Sequence, residues 1–186
     1  LAAITNAEKS FENPQEVERN NFNSTKIVSE YCAKNNIKMI HISSTSVYGT
    51  QKKVVDESCS EFDLKPQSPY AETKLKEENY VKNLSASLGL KAVSLRFGTI
   101  FGVSQGMRFH TAINKFCWQA INRKPLTIWK TAYRQKRPYL DLNDAVNLIC
   151  YVIKNDIFDG EVYNALTLNA TVEEIVNVVR KYKKEL

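Results

Sequence analysis

Two helix-forming segments, each opened by a proline and each followed by an apolar run, most restrict what this chain can fold into. Asn13-Pro14 and Ser68-Pro69 pair a capping residue with a proline at the first helical position, and predict helices over residues 13–35 and 69–88. The apolar runs at 37–43 and 91–97 follow these helices and are typical of buried strands. Helices that alternate with buried strands predict an α/β fold with a parallel sheet.

The second half of the chain carries shorter elements. Its patterns predict a helix over 109–123, strands at 125–129, 137–142 and 161–166, and a helix over 145–154 capped by Asn143 or Asp144. Thr171 and Glu174 have the spacing of a capping box before a final helix. This mixture of short elements is what we expect of a lobe that covers a substrate.

Charge and composition restrict the partners. The 186 residues carry a net charge of +6, but the basic residues are dispersed and no nucleic-acid motif accompanies them, so we expect no nucleic-acid partner. No apolar run approaches the ~20 residues of a membrane span. The four cysteines form no cluster with histidine, so we expect reduced thiols, no metal site and a cytoplasmic location. His41, inside an apolar strand, is expected to be a hydrogen-bonded core residue rather than a catalyst.

Hydroxyl groups gather where the first predicted strand ends, in SSTSVYG at 43–49. In open α/β sheets, ligands bind at the carboxyl ends of the strands. Tyr70 and Lys74 follow, four residues apart on a predicted helix and therefore on one face. A lysine ammonium near a phenol lowers the pKa of the tyrosine, which can then serve as a general base on an alcohol. Alone, this spacing is also that of a surface Tyr/Lys pair; the order of the segments favours a catalytic site.

In this order the segments resemble the extended short-chain dehydrogenase/reductases, specifically the NAD-dependent sugar-nucleotide epimerases and dehydratases. The resemblance rests on LAA at 1–3, NNFNST at 20–25, SSTSVYG, PYAETK at 69–74, LRFGTIFG at 95–102, MRFHTAINKF at 107–116 and RPYLDLNDA at 137–145. It implies that the catalytic residues are Ser44, Tyr70, Lys74 and Asn21. It implies cofactor contacts from Leu1, Ala2, Ala3, Ser43, Tyr70, Lys74 and Phe97. It implies substrate contacts from Ser44, Thr45, Thr99, Arg108, Asn114 and Arg137, with Thr99 standing where the family often has asparagine.

The resemblance also implies an architecture. We expect residues 1–105 to be the later part of a Rossmann-like NAD-binding domain and residues 106–186 to be an interleaved substrate lobe. No glycine-rich dinucleotide turn occurs in the chain, so we expect an internal fragment that is incomplete at both ends. The implied cofactor is NAD rather than NADP, the implied substrate is a nucleotide sugar, and the implied assembly is a homodimer formed through the helices at 13–35 and 69–88.

One pair of positions bears on the reaction subtype. The 4,6-dehydratases of this family have an Asp-Glu pair after the active-site hydroxyl, where this chain has Thr45 and Ser46. Neither residue can act as the acid/base pair for water elimination, so a typical 4,6-dehydratase is disfavoured. A 4-epimerase is favoured, while a decarboxylase, a 4-keto reductase and a non-catalytic nucleotide-sugar-binding protein stay open.

Overall fold

The computed structural model describes residues 3–50, 54–128 and 133–183, and it divides the chain into two compact units. The first unit comprises Leu1–Phe97 and Ile149–Asn164, and the second comprises Gly98–Leu148 and Ala165–Leu186. Both units therefore combine segments that are distant in the sequence.

The first unit is built on a parallel pair of strands with two long helices. Its elements in chain order are α1 (Pro14–Lys34), β1 (Met39–Ser44), α2 (Pro69–Leu88) and β2 (Ala92–Phe97). A later strand, β5 (Val162–Ala165), completes a sheet of order β1-β2-β5. β1 and β2 run parallel, with Ser44 opposite Phe97, so both strands end at the same sheet edge. The α/β class with a parallel sheet is confirmed.

Side-chain caps fix where the two helices begin. The Asn13 side chain accepts a hydrogen bond from the backbone N–H of Glu16 at the start of α1. The Ser68 hydroxyl accepts one from Ala71 at the start of α2, and Gly89 ends that helix with a φ of 65°. A left-handed residue at this position favours glycine because other residues meet steric strain there. The predicted bounds of both helices are therefore confirmed.

The second unit contains a small mixed sheet packed against helices. Its elements are β3 (Thr99–Phe101), α3 (Ala112–Ile121), β4 (Arg137–Asp141), most of α4 (Leu142–Lys154), β6 (Leu168–Ala170) and α5 (Val172–Tyr182). β4 is central, parallel to β3 and antiparallel to β6. Its core gathers buried residues from both helix and sheet, namely Phe116, Tyr139, Ala170, Val172, Ile175 and Val176. The predicted capping box of Thr171 and Glu174 opens α5.

Two sequence predictions in this unit are wrong. Residues 125–128 form no strand, because Thr127 bonds to α3 instead: its N–H donates to the Gln119 side chain and its carbonyl accepts from Lys115. Trp129, at the end of that predicted strand, lies outside the described residues. The helix α4 begins earlier than predicted. Asp141, rather than Asn143 or Asp144, supplies the capping carboxylate, which accepts from the N–H of Asn143 at 2.8 Å.

No helix in the described part of the chain is long and apolar enough to cross a membrane.

Candidate active site

Ser44 ends β1, and its hydroxyl oxygen is oriented by its neighbour Ser46. Ser46 donates two hydrogen bonds to Ser44 Oγ, from its backbone N–H at 3.2 Å and from its hydroxyl at 2.8 Å. A serine oxygen has two acceptor lone pairs and one O–H donor. Because both of these hydrogen bonds are donated by Ser46, the Ser44 O–H is available to donate to an oxygen placed at this sheet edge.

Thr45 connects the ends of the two parallel strands. Its hydroxyl donates to the backbone carbonyl of Phe97 at 3.2 Å, where β2 ends. This contact, together with the register of β1 and β2, brings the predicted residues Ser44, Thr45 and Phe97 to one edge of the sheet.

Lys74 is buried and reaches this edge from α2. Its ammonium donates to the backbone carbonyl of Ile42 at 2.9 Å and to Glu77 Oε2 at 2.8 Å. Ile42 lies two residues before Ser44 on β1, so the structure brings Lys74 close to the predicted catalytic strand end. An ammonium has three N–H donors. The two contacts leave one N–H for a ligand.

Tyr70 lies one helical turn before Lys74, in the first turn of α2, and its side chain is half-buried. Its backbone N–H donates to the hydroxyl of Ser10, which is fully buried. The loop around Ser10 therefore anchors the start of α2, and with it the backbone that carries Tyr70.

Beneath Lys74 lies a buried polar chain that sequence reasoning missed. Glu77 Oε2 also lies 3.0 Å from His41 Nε2, and His41 Nδ1 lies 3.2 Å from Ser94 Oγ. Burial raises the pKa of Glu77, but the hydrogen bonds and charges of His41 and Lys74 outweigh burial and place the pKa below its usual value. Glu77 is therefore ionised at neutral pH. His41 is confirmed as a buried, hydrogen-bonded residue.

A second buried pair joins α2 to β2. Glu78 accepts three hydrogen bonds from the Arg96 guanidinium, at 2.7–3.2 Å, and one from the hydroxyl of Ser43. Arg96 also stacks over the ring of Tyr48, whose hydroxyl donates to Asn164. The Ser43 hydroxyl is thus engaged inside the protein, which leaves its backbone as the part that could meet a cofactor.

Asn21, on α1, holds a backbone segment next to the start of the chain. Its amide accepts from the N–H of Ile4 at 2.8 Å and donates to the carbonyl of Ile4 at 2.9 Å. Asn21 is buried, so these contacts make it a residue that positions the backbone beside Ala3. Its catalytic role stays a prediction. Leu1 and Ala2 lie outside the described residues.

The four other predicted substrate residues belong to the second unit. Three of them are exposed: Thr99 on β3, Arg137 on β4, and Arg108 in the segment before α3. Asn114 is buried, and its amide bridges the N–H of Gly102 and the carbonyl of Arg108. Asn114 therefore orders the loop that carries Arg108, and its direct contact with a substrate stays a prediction.

The sequence did hold a signal for the missed residues. Glu77 and Glu78 lie three and four positions after Lys74, the spacing at which helical side chains share a face. Acidic residues next to a lysine that faces the sheet must find buried cations or donors. The strand residues His41 and Arg96 are the partners that the structure provides.

The structure combines a parallel sheet, hydroxyls at one strand end and a Tyr/Lys pair on the following helix, which are features of the short-chain dehydrogenase/reductases that the sequence resembles. Residues 1–165 match the family model for the NAD dependent epimerase/dehydratase family, so the chain belongs to that family. The resemblance noted from the sequence is confirmed.

Among curated proteins, the chain is 33% identical over 168 residues to an uncharacterized UDP-glucose epimerase, YtcB, of Bacillus subtilis strain 168, covering 88% of this chain and 51% of that protein. It is 27% identical, with a TM-score of 0.86, to a UDP-glucuronic acid 4-epimerase from Bacillus cereus in complex with UDP-glucuronic acid and NAD. That match covers all of this chain and 59% of the other.

A UDP-N-acetylglucosamine 4-epimerase from Methanobrevibacter ruminantium M1 is similar at 25% identity and a TM-score of 0.85, over 97% of this chain and 58% of the other. The chain thus spans about half the length of the curated relatives that it matches.

Proposed function

We propose that the protein is an NAD-dependent nucleotide-sugar 4-epimerase that works through a transient 4-keto sugar. The observation that carries the proposal is the geometry at the end of β1, where the Ser44 O–H is available to donate a hydrogen bond and Lys74 is anchored beside it. The similar 4-epimerases, whose structures are complexes with UDP-sugars, support the same reaction class.

The residues fit NAD on one structural ground: the buried Lys74 ammonium keeps one N–H after its contacts with Ile42 and Glu77. That donor suits the ribose hydroxyls of the nicotinamide half. NAD, when bound, would take the hydrogen from the sugar carbon and return it.

The protein residues handle the proton of the sugar hydroxyl. Tyr70 accepts the proton from the C4 hydroxyl as general base, and returns it after the sugar has turned over. Ser44 donates its O–H to the same oxygen and holds it in place. Lys74 keeps a positive charge next to the turn that carries Tyr70, which favours the phenolate form of the base.

The contacts of Thr45 and Ser46 support a 4-epimerase over a 4,6-dehydratase. The hydroxyl of Thr45 is engaged with the carbonyl of Phe97, and that of Ser46 is engaged with Ser44. Neither position presents a carboxyl group for the elimination of water.

The proposal is tested with the full gene product and a panel of UDP- and other nucleoside diphosphate sugars, with the C4 configuration followed by NMR. Inversion at C4, lost in Tyr70→Phe, supports the proposal. Release of a 4-keto sugar, loss of a carboxyl group, or absence of turnover with every sugar would instead point to a dehydratase, a decarboxylase or a binding protein.

We also infer a homodimer formed through α1 and α2. α1 leaves three large apolar side chains exposed, Ile27 at 66%, Val28 at 50% and Tyr31 at 62%. Covering such a patch favours association because apolar area is removed from water. Light scattering of the full gene product at micromolar concentration should give twice the chain mass, and a monomer would contradict this inference.

A further inference from the structure

Glu77 occupies a position where a helix that packs on a sheet ordinarily buries an apolar side chain. It is fully buried, and its Oε1 has no hydrogen-bond partner within the described residues. Burying a carboxylate with one oxygen unsatisfied costs free energy, and a buried ion pair is often no more stable than the apolar residues that would replace it. Stability alone does not account for a carboxylate at this position.

All the partners of Glu77 converge on one oxygen. Oε2 accepts from Lys74 Nζ at 2.8 Å and lies 3.0 Å from His41 Nε2. The other nitrogen of His41 faces Ser94, so the ring is held from both sides by α2 and β2. A free lysine side chain has many rotamers, whereas this one is fixed by a carboxylate that is itself fixed.

We propose that Glu77, backed by His41, is a positioning residue that fixes the Lys74 ammonium in place and aims its remaining N–H at the nicotinamide ribose. This inference rests on the proposed function and deepens it. The Glu77 carboxylate also offsets part of the lysine charge, and so limits how strongly Lys74 favours the Tyr70 phenolate.

Two consequences separate this role from a purely structural one. Glu77→Gln replaces a charge-assisted hydrogen bond with a neutral one, which loosens Lys74 and weakens NAD binding by about 10- to 100-fold. The same change removes the negative charge 2.8 Å from the Lys74 ammonium. The lysine charge then favours the Tyr70 phenolate more strongly, so the acidic limb of the pH–kcat profile moves to lower pH. The titratable groups that face Glu77 are Lys74 on α2 and His41 on β1.

The experiment measures the NAD dissociation constant, the pH–kcat profile and the melting temperature of the full gene product and its variants. The matched control is Glu72→Gln, which removes an exposed carboxylate from the same helix and should behave as the parent protein does. His41→Gln keeps a donor for Glu77 and should bind NAD almost normally. His41→Phe removes that donor and should bind NAD more weakly.

Weaker NAD binding by folded Glu77→Gln, with the shift of the acidic limb, would support the role. NAD binding and a pH profile equal to those of Glu72→Gln would overturn it. If Glu77→Gln does not fold, His41→Phe decides in the same way. A parent protein that binds no NAD would refute the proposed function itself, whereas a parent that binds NAD beside an unaffected variant refutes only this inference.

Discussion

Replacing Glu78 with alanine should leave the buried guanidinium of Arg96 without its ion-pair partner. Arg96 and Glu78 have side chains only 6% and 3% exposed, and the carboxylate accepts all three of the hydrogen bonds that join the pair. Burial lowers the pKa of Arg96, but Glu78 more than compensates and keeps the guanidinium charged. Breaking a buried pair by removing one partner costs about 3–5 kcal/mol. We therefore expect Glu78→Ala to lower the free energy of unfolding of the full gene product by about that amount.

Urea denaturation followed by circular dichroism measures this loss. The control is Glu18→Ala, which breaks an ion pair between the exposed side chains of Glu18 (51% exposed) and Lys76 (50% exposed). This control should cost about 0–1 kcal/mol. The double variant with Glu78→Leu and Arg96→Met removes both charges and should recover most of the loss. A cost for Glu78→Ala as small as that for Glu18→Ala would show that Glu78 is not needed to stabilise the buried Arg96.

Three further predictions follow from individual contacts. Ser46→Ala removes the hydroxyl that orients Ser44, so we expect kcat to fall about 5- to 10-fold in steady-state assays while Ser46→Thr retains activity; an unchanged kcat for the alanine variant would contradict this. Gly49→Ala places a Cβ 2.1 Å from the backbone oxygen of Lys65 at a φ of 68°, and should cost about 2 kcal/mol or more in urea denaturation; a neutral effect would argue against that turn. Because the pKa of Glu77 is lower in the folded protein than its unfolded value of about 4.3, the ionised carboxylate adds stability above about pH 4.3 that is lost as the pH falls through the folded pKa. The urea midpoint should therefore fall less steeply from pH 7 to pH 3 in Glu77→Gln than in the parent protein. Identical slopes would contradict a lowered pKa for Glu77.

Local signals were strong enough to predict the long helices. α1 and α2 each begin at a capping residue followed by proline, and α2 ends at a glycine, so their bounds follow from backbone chemistry close in the sequence. The short strand β6 was missed, and the strand predicted at 125–129 was wrong for the described residues 125–128. Both depend on which partner a short segment meets, and for Thr127 a side chain on α3 competes successfully with any strand.

The candidate site also contains residues that the sequence predicts and contacts that only the folded structure shows. Tyr70 and Lys74 were predicted from their spacing and Ser44 from the family resemblance, and the structure places Ser44 and the Lys74 ammonium at the end of one strand. The pairing of Glu77 with His41 could not be read from the sequence, because 36 positions separate them and only the packing of α2 on β1 brings them together. The role of Asn21 as a clamp on Ile4 depends in the same way on a contact across 17 positions.

The proposed reaction is inversion at C4 of a nucleotide sugar, supported by Tyr70 and Ser44. The most direct measurement supplies the full gene product with a UDP-sugar that carries deuterium at C4, and follows the products by NMR. We expect a product with inverted configuration that retains the deuterium at C4, and a rate in Tyr70→Phe lower by about 10²- to 10⁴-fold. Loss of the deuterium to solvent during inversion, or full activity in Tyr70→Phe, would contradict it.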